Sequence, residues 1–359
     1  RHLVVTPNGD VFAAVSGGGG GVLALRDTDG DGRADVQKHF GPGSGTGIAY
    51  GDHYLYFATD NRIVRWRMED GDLMPRGPME TVARDLPDGG DHSAKTLVLG
   101  PGNVLYVDFG SATNSCQASN RSRRSPGHDP CTELDSRAGI WRFAADRKDQ
   151  RPADGVRFAT GLRNAMALAV RPGTSELFAA THGRDQLSEN WGFTDAQNAE
   201  LPAEEFVRAT EGANFGWPYC YYDQQVGVKV LAPEYGGDGK KTGRCATTAS
   251  PLIGFPGHWA PLALTFYDGK QFPAEYRGGA FLAFHGSWNR APLPQAGYRV
   301  VFIPFEGDKP TGKYTTFATS AAGPTGLRAS GLAVGPDGSL YLAADGNGTI
   351  WRIQRTPAS

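Results

Sequence analysis

His92 is the residue of this sequence best placed to exchange a proton. It closes the stretch Gly89-Gly90-Asp91-His92 just ahead of a β-rich run, and the two glycines permit an irregular backbone that can press against a ligand. An imidazole titrates near neutrality, so it can serve as a general base. Arg163 and Asn164 follow Gly161-Leu162 ahead of another such run, and Arg328 stands ahead of a third. A guanidinium there suits a carboxylate ligand by its fork geometry, although an Arg-Asn pair in a turn can equally be a loop staple. Three polar groups in equivalent positions of three units point to a site more strongly than any one of them. The stretch DTDGDGRAD at 27–35 carries a different signal. Asp27, Asp29 and Asp31 at alternate positions, with Asp35 following and Gly32 for the turn, have the spacing of a loop for calcium, a hard cation that seeks oxygen. No base or nucleophile accompanies these carboxylates, so the expected role is structural, and a plain acidic hairpin is the alternative.

Other motifs carry less. GGGGG at 17–21 lies between strand-like runs and opens no helix, so it reads as a flexible loop and not as a dinucleotide fingerprint. RSRR at 121–124 is the only basic run and reads as a solvated loop. Cys116 and Cys131 bracket one polar loop, and Cys220 and Cys245 another. Two loop-closing disulfides formed in an oxidising compartment explain this best, with the pairing one of three possibilities. Zinc competes, because His128 lies three residues before Cys131, but there is no C-x-x-C pair.

The elements that must position these residues repeat. Thr96 to Leu99 and Val104 to Phe109 read as two strands joined by Gly100-Pro101-Gly102-Asn103, a hairpin turn. The same unit recurs six times, at 3–15, 48–59, 97–110, 168–181, 264–284 and 332–345. Several copies are followed by a third alternating strand: GVLALRD, RIVRWRM, GIWRFA, YRVVFIPF and TIWRI. Three or four strands per repeat make a propeller blade, and a radial arrangement hides the sheet edges while leaving a central channel. The expectation is an all-β, six-bladed β-propeller of four-stranded antiparallel blades, a single domain over residues 1–359. Long insertions are expected at about 112–138 and 183–258. A pair of β-sandwiches does not account for six matching units.

Composition agrees. Fifty glycines and 24 prolines among 359 residues are spread between apolar runs without a low-complexity period, as many tight turns require. The formal charge is −2 with basic residues dispersed, so no nucleic-acid footprint is present. No apolar run approaches the roughly 20 residues that cross a bilayer, so a soluble chain without a membrane span is expected.

Read together, these motifs resemble the pyrroloquinoline-quinone-dependent glucose and sorbosone dehydrogenases, soluble periplasmic six-bladed propellers. The resemblance covers nearly the whole chain. It rests on LPDGGDHSAKTLVLGPGNVLYV with FGSATNSC, ATGLRNAMALAV, EGANFGWPYCYY, FLAFHGSWNR with YRVVFIPF, and LAVGPDGSLYLAADGNGTIWRI. NFGWPYC and HGSWNR look closer to the sorbosone-type branch.

The resemblance implies His92 as the general base for the hydroxyl at a sugar's anomeric carbon, with hydride passing to pyrroloquinoline quinone (PQQ). It implies Arg163, Asn164 and Arg328 as holders of the cofactor carboxylates, His182 as a cofactor neighbour and Arg290 in place of a lysine of relatives. Cofactor calcium (Ca2+) would take the carbonyls of Gly183 and Arg184. A second, structural calcium would take Glu205, the Phe215 carbonyl and Asp223. Where glucose dehydrogenases orient the histidine with an aspartate, this chain has Ser111. Asp91 and Asp108 are the other nearby carboxylates. The expected protein is a periplasmic or secreted enzyme oxidising an aldose or sugar aldehyde and passing electrons to an external acceptor, as a monomer or homodimer. A calcium-dependent lactonase-type hydrolase on the same architecture is the rival enzyme, but it needs an inward cluster of carboxylates, and no G-x-S-x-G elbow occurs. A non-catalytic binding propeller is the third reading.

Overall fold

The computed structural model describes residues 1–321, 323 and 325–356. It is a six-bladed propeller of small antiparallel sheets. Strands within each blade pair in chain order, and the first strands of neighbouring blades touch one another around the axis, so chain order runs from the axis outward. Blade 1 comprises Leu3–Val5, Val11–Ala14, Val22–Arg26 and Val36–Phe40, and blade 2 comprises Gly45–Gly51, Tyr54–Thr59, Ile63–Arg67 and Glu80–Ala83. Blade 3 has Leu97–Gly100, Val104–Phe109, Gly139–Ala144 and Val156–Thr160, with the short strand Ala213–Asn214 added in parallel at its edge. Blade 4 has Ala167–Val170, Leu177–Thr181, Glu204–Ala209 and Ile253–Phe255, and blade 5 has Pro261–Phe266, Ala280–Phe284, Arg299–Ile303 and Thr315–Ala318. Blade 6 has Ala329–Val334, Leu340–Ala344 and Thr349–Ile353. Four strands per blade therefore hold for four blades, while blade 3 has five strands and blade 6 has three among the described residues.

The inner strands touch in cyclic order, and Ala329–Val334 returns to Leu3–Val5 to close the ring. Successive side chains on a strand face opposite sides, so each blade is apolar on both faces and packs between two neighbours. One apolar cluster lies at each blade junction. Phe12, Val22, Phe57 and Trp66 fill the first, Tyr56, Phe109 and Trp141 the second, and Phe158, Leu162 and Phe215 the third. Phe178, Phe206, Phe255 and Phe284 fill the fourth, and Tyr267, Phe281 and Leu342 the fifth. Leu3, Val11, Ala13 and Ala343 seal the closing junction, and each large side chain fully buried in this way contributes about 1.5–3 kcal/mol.

The hairpin of blade 3 forms with Val104 opposite Gly100, and Gly102 (φ 74°) and Asn103 (φ 60°) supply the left-handed turn residues. The expected insertion at 183–258 needs correction. It contains the third and fourth strands of blade 4, Glu204–Ala209 and Ile253–Phe255, so the excursions beyond the blade are 182–203 and 210–252. The first carries two short helices, Leu187–Trp191 and Asp195–Glu200. Disulfides join Cys116 to Cys131 and Cys220 to Cys245, one in each inserted region. Among the described residues no helix is long and apolar enough to cross a membrane.

Candidate active site

Because the first two strands of a blade are antiparallel, the residue entering the first and the residue leaving the second stand side by side at one end of the channel. Blades 4, 5 and 6 repeat this in the same register: His182 N donates to Asn164 O (3.0 Å), His285 N to Ala260 O (2.9 Å) and Asp345 N to Arg328 O (3.1 Å). In blade 3 His92 and Ser111 meet at the same end of the channel, joined through the His92 ring. The repeat thus gathers His92, Asn164, His182, His285, Arg328 and Asp345 at one rim.

His92 is half-buried, and its Nδ1 lies 3.0 Å from both the carbonyl and the hydroxyl oxygen of Ser111. The Ser111 hydroxyl donates its own proton to Thr113 O (2.7 Å), so both Ser111 oxygens are acceptors toward the ring. Nδ1 therefore carries the proton, and Nε2 is left with its lone pair. Burial, then Arg163 and His182, hold the His92 pKa well below 6.5, so the ring is neutral at pH 7. Ser111 thus takes the orienting place, while Asp91 and Asp108 do not. Asp91 is bound to Arg121 (2.8 Å), and the fully buried Asp108 accepts from Ala165 N (3.1 Å), its pKa raised by burial to about 7. Gly110 is required here: a Cβ at that residue would lie 2.6 Å from the His92 Cβ and 2.9 Å from Asn164 Oδ1.

Arg163 is buried and already engaged. Its Nε donates to Asn114 O (3.0 Å), and its Nη2 donates to Asn114 Oδ1 (2.9 Å) and Asp185 Oδ2 (2.9 Å). Asn114 fastens this cluster to the first inserted loop, donating to Asp185 O (3.1 Å) while its own carbonyl accepts from Trp217 Nε1 (3.1 Å). Asn164 donates toward His182 Nδ1 (3.5 Å), and its buried Oδ1 has no partner. His182 donates from Nε2 to Pro261 O (2.8 Å), and burial lowers its pKa to about 4. Arg328 is half-buried, its guanidinium 5.7 Å from the Tyr298 ring, with no carboxylate paired to it among the described residues.

Sequence reasoning missed His285, whose Nε2 meets Asp345 Oδ1 at 2.7 Å, while Asp345 Oδ2 pairs with Arg1 (2.9 Å). It also missed Asn114, Asp185 and the place of Arg121. Arg121 is not a solvated loop residue: it bridges Asp91 (2.8 Å) and Asp185 (3.2 Å) at the rim.

The remaining candidates fall elsewhere. Arg290 is not at the rim cluster; its guanidinium donates to the carbonyls of Ala199, Gly257 and Pro294 and pairs with Glu200 (2.7 Å), which spends it on stapling loops. Gly183 donates its amide to Glu204 Oε2 (3.0 Å), and the Arg184 side chain is buried against Glu234 (2.7 Å), which leaves the two backbone carbonyls as the groups available to a cation. The second calcium set does not hold together as a metal site. The ammonium of Lys229 stands in it, 2.7 and 2.6 Å from the Glu205 oxygens and 2.6 Å from Phe215 O. Asp223 instead accepts from Gln225 N (2.9 Å) and closes its own turn. Asp27, Asp29 and Asp35 bring carboxylate oxygens within 4.8 Å of one another, at the opposite end of blade 1 from the rim cluster. Asp31 is outside this group and accepts from Arg33 N (2.7 Å).

A neutral imidazole, arginines and a buried amide oxygen without a partner thus meet at one mouth of the six-bladed channel. The chain belongs to the TrAA12-like family, whose description matches residues 1–356. A pyrroloquinoline quinone-dependent pyranose dehydrogenase of Coprinopsis cinerea is 26% identical over 256 residues, 58% of this chain and 33% of that protein. The chain spans about a third of the length of the curated relatives it matches. In structure it is similar to a Trichoderma reesei protein of carbohydrate-active enzyme family AA12 (TM-score 0.80, 20% identity, 99% of this chain and 93% of that one). The PQQ domain of pyranose dehydrogenase from Coprinopsis cinerea in holo form is similar at TM-score 0.78 and 18% identity, over 99% of this chain and 92% of that one.

Proposed function

We propose that this chain is a PQQ-dependent sugar dehydrogenase, oxidising an aldose or sugar aldehyde with His92 as general base. The observation that carries this reading is the pinned imidazole: Nδ1–H held by both Ser111 oxygens, Nε2 free, at the rim that also presents Arg163, Asn164 and His182. His92 Nε2 takes the hydroxyl proton at the anomeric carbon, a transfer worth about 10²- to 10⁴-fold. PQQ, when bound, supplies the two-electron acceptor for the hydride leaving the same carbon.

The residues suit that tricarboxylate. Arg163 keeps Nη1 uncommitted while Asp185 and Asn114 fix its plane, and Arg328 adds a guanidinium with no carboxylate partner among the described residues. The partnerless Asn164 Oδ1 can accept a donor from the ligand, and burying it without one would cost about 1–3 kcal/mol. The Gly183 and Arg184 carbonyls would hold cofactor calcium, with Glu204 fastening the Gly183 amide. A structural calcium is proposed separately at Asp27, Asp29 and Asp35. Two disulfides support a periplasmic or secreted location, with electrons passing to an external acceptor.

The test is reconstitution: the protein is loaded with PQQ and calcium, quinone binding is followed by absorbance, and dye reduction is measured with a panel of aldoses and sugar aldehydes. Sugar-dependent reduction is expected. Quinone binding without turnover on any sugar, or no binding, overturns the proposal.

A further inference from the structure

Trp288 is unusual among the large apolar side chains because its indole is 62% exposed while both chain neighbours are buried, Ser287 at 1% and Asn289 at 6%. Those neighbours are fixed. Ser287 O accepts from Tyr298 OH (2.7 Å), its hydroxyl accepts from Ala296 N (2.9 Å), and Asn289 O accepts from Asn198 Nδ2 (2.9 Å). Gly286 is packed so closely on the Tyr298 ring that a Cβ would sit 2.2 Å away. The loop therefore displays the indole from a rigid base and does not let it fold back. Beside it stands the Arg121 guanidinium, 5.9 Å from the ring centroid and itself tied to Asp91 and Asp185. Asp91 precedes His92, and Asp185 holds Arg163, so one guanidinium links the indole to the rim cluster beside the proposed base.

An isolated aromatic face set among charged hydrogen-bonding groups fits a ligand that is apolar on one face and hydroxylated at its edge. A pyranose ring is such a ligand. A protein partner would ask for a contiguous apolar patch of several hundred Å², and Trp288 is one indole beside Arg121, whose guanidinium itself binds Asp91 and Gln186. We propose that Trp288 and Arg121 form a second saccharide subsite, which takes the ring attached to the sugar being oxidised and so favours disaccharides and longer chains. The proposal rests on the sugar-oxidising reading above and names a substrate class for it.

The test compares glucose, cellobiose and maltose as substrates of the PQQ-loaded protein, wild type, Trp288→Ala and Trp288→Phe, with a dye and separately with a soluble cytochrome as acceptor. The expected result is that Trp288→Ala lowers the disaccharide-to-glucose ratio of kcat/KM by about tenfold, the scale of one stacking contact, mainly through KM, and that Trp288→Phe restores most of it. An unchanged ratio overturns the subsite. A loss seen only with the cytochrome also overturns it and makes Trp288 an acceptor contact. If the wild type oxidises none of the three sugars and no other aldose, the sugar-oxidising reading itself fails and the subsite falls with it.

Discussion

Replacing Lys229 by Met removes the internal cation from the place where a structural calcium was expected. The ammonium meets both oxygens of Glu205, at 2.7 and 2.6 Å, and the Phe215 carbonyl at 2.6 Å, and all three residues are buried. Met matches the volume of the stem but leaves the Glu205 carboxylate uncompensated, a change that typically costs about 3–5 kcal/mol. Unfolding entropy of about 2.1 cal/mol/K per residue makes about 0.75 kcal/mol/K for 359 residues, so Tm should fall by about 4–7 °C. Differential scanning calorimetry reads this directly. The double variant Lys229→Met with Glu205→Gln removes the orphaned charge as well and should recover most of the loss. Millimolar calcium should raise the Tm of Lys229→Ala, where the smaller side chain leaves room for a cation beside Glu205 and Phe215 O, more than that of the wild type. A Lys229→Met protein melting within a degree of wild type would refute the idea that a lysine has taken over the work of a metal.

Three further outcomes follow from the same geometry. Gly110→Ala sets a methyl against the His92 Cβ and Asn164 Oδ1, so kcat should fall by at least about tenfold while the far-UV circular dichroism is retained. Because burial, Arg163 and His182 depress the His92 pKa, the base form is complete at pH 7, and kcat/KM should stay level down to below pH 6.5 before falling as His92 takes up a proton; a half-maximum at or above 6.5 contradicts the assignment. Asp27→Asn with Asp29→Asn should abolish any calcium-dependent rise in Tm arising at blade 1 and leave turnover of the loaded protein intact, since that loop lies at the other end of the blade.

Much of this arrangement was legible in residue order. The hairpin of blade 3 follows from Gly102 and Asn103 in the left-handed region between two β-rich runs, and five further copies of that unit fix the blade count. The third strand of blade 4, Glu204–Ala209, was hidden because two short helices separate it from its hairpin. His92 was found by its position ahead of an inner strand; the companion position, after the second strand, holds His285 and Asp345 and could have been read by the same logic. Ser111 was visible only as a missing aspartate. That its carbonyl and hydroxyl both reach Nδ1 depends on how the chain leaves Phe109, which no local pattern encodes. Lys229 filling the Glu205 site needs three separate segments to meet, Glu204–Ala209, the turn at Phe215 and Val228–Leu231. Arg121 and Arg290 exchanged expectations for the same reason: the partners that hold one at the rim and spend the other on carbonyls come from distant loops.

The central claim is that His92 is the base of a quinone-dependent sugar oxidation. The most direct measurement is single-turnover reduction of bound PQQ by sugar in wild type and His92→Ala, with quinone binding measured on both proteins. The account predicts that both bind PQQ, and that quinone reduction in His92→Ala is slower by about 10²-fold or more. Equal rates in the two proteins at equal quinone occupancy would contradict it.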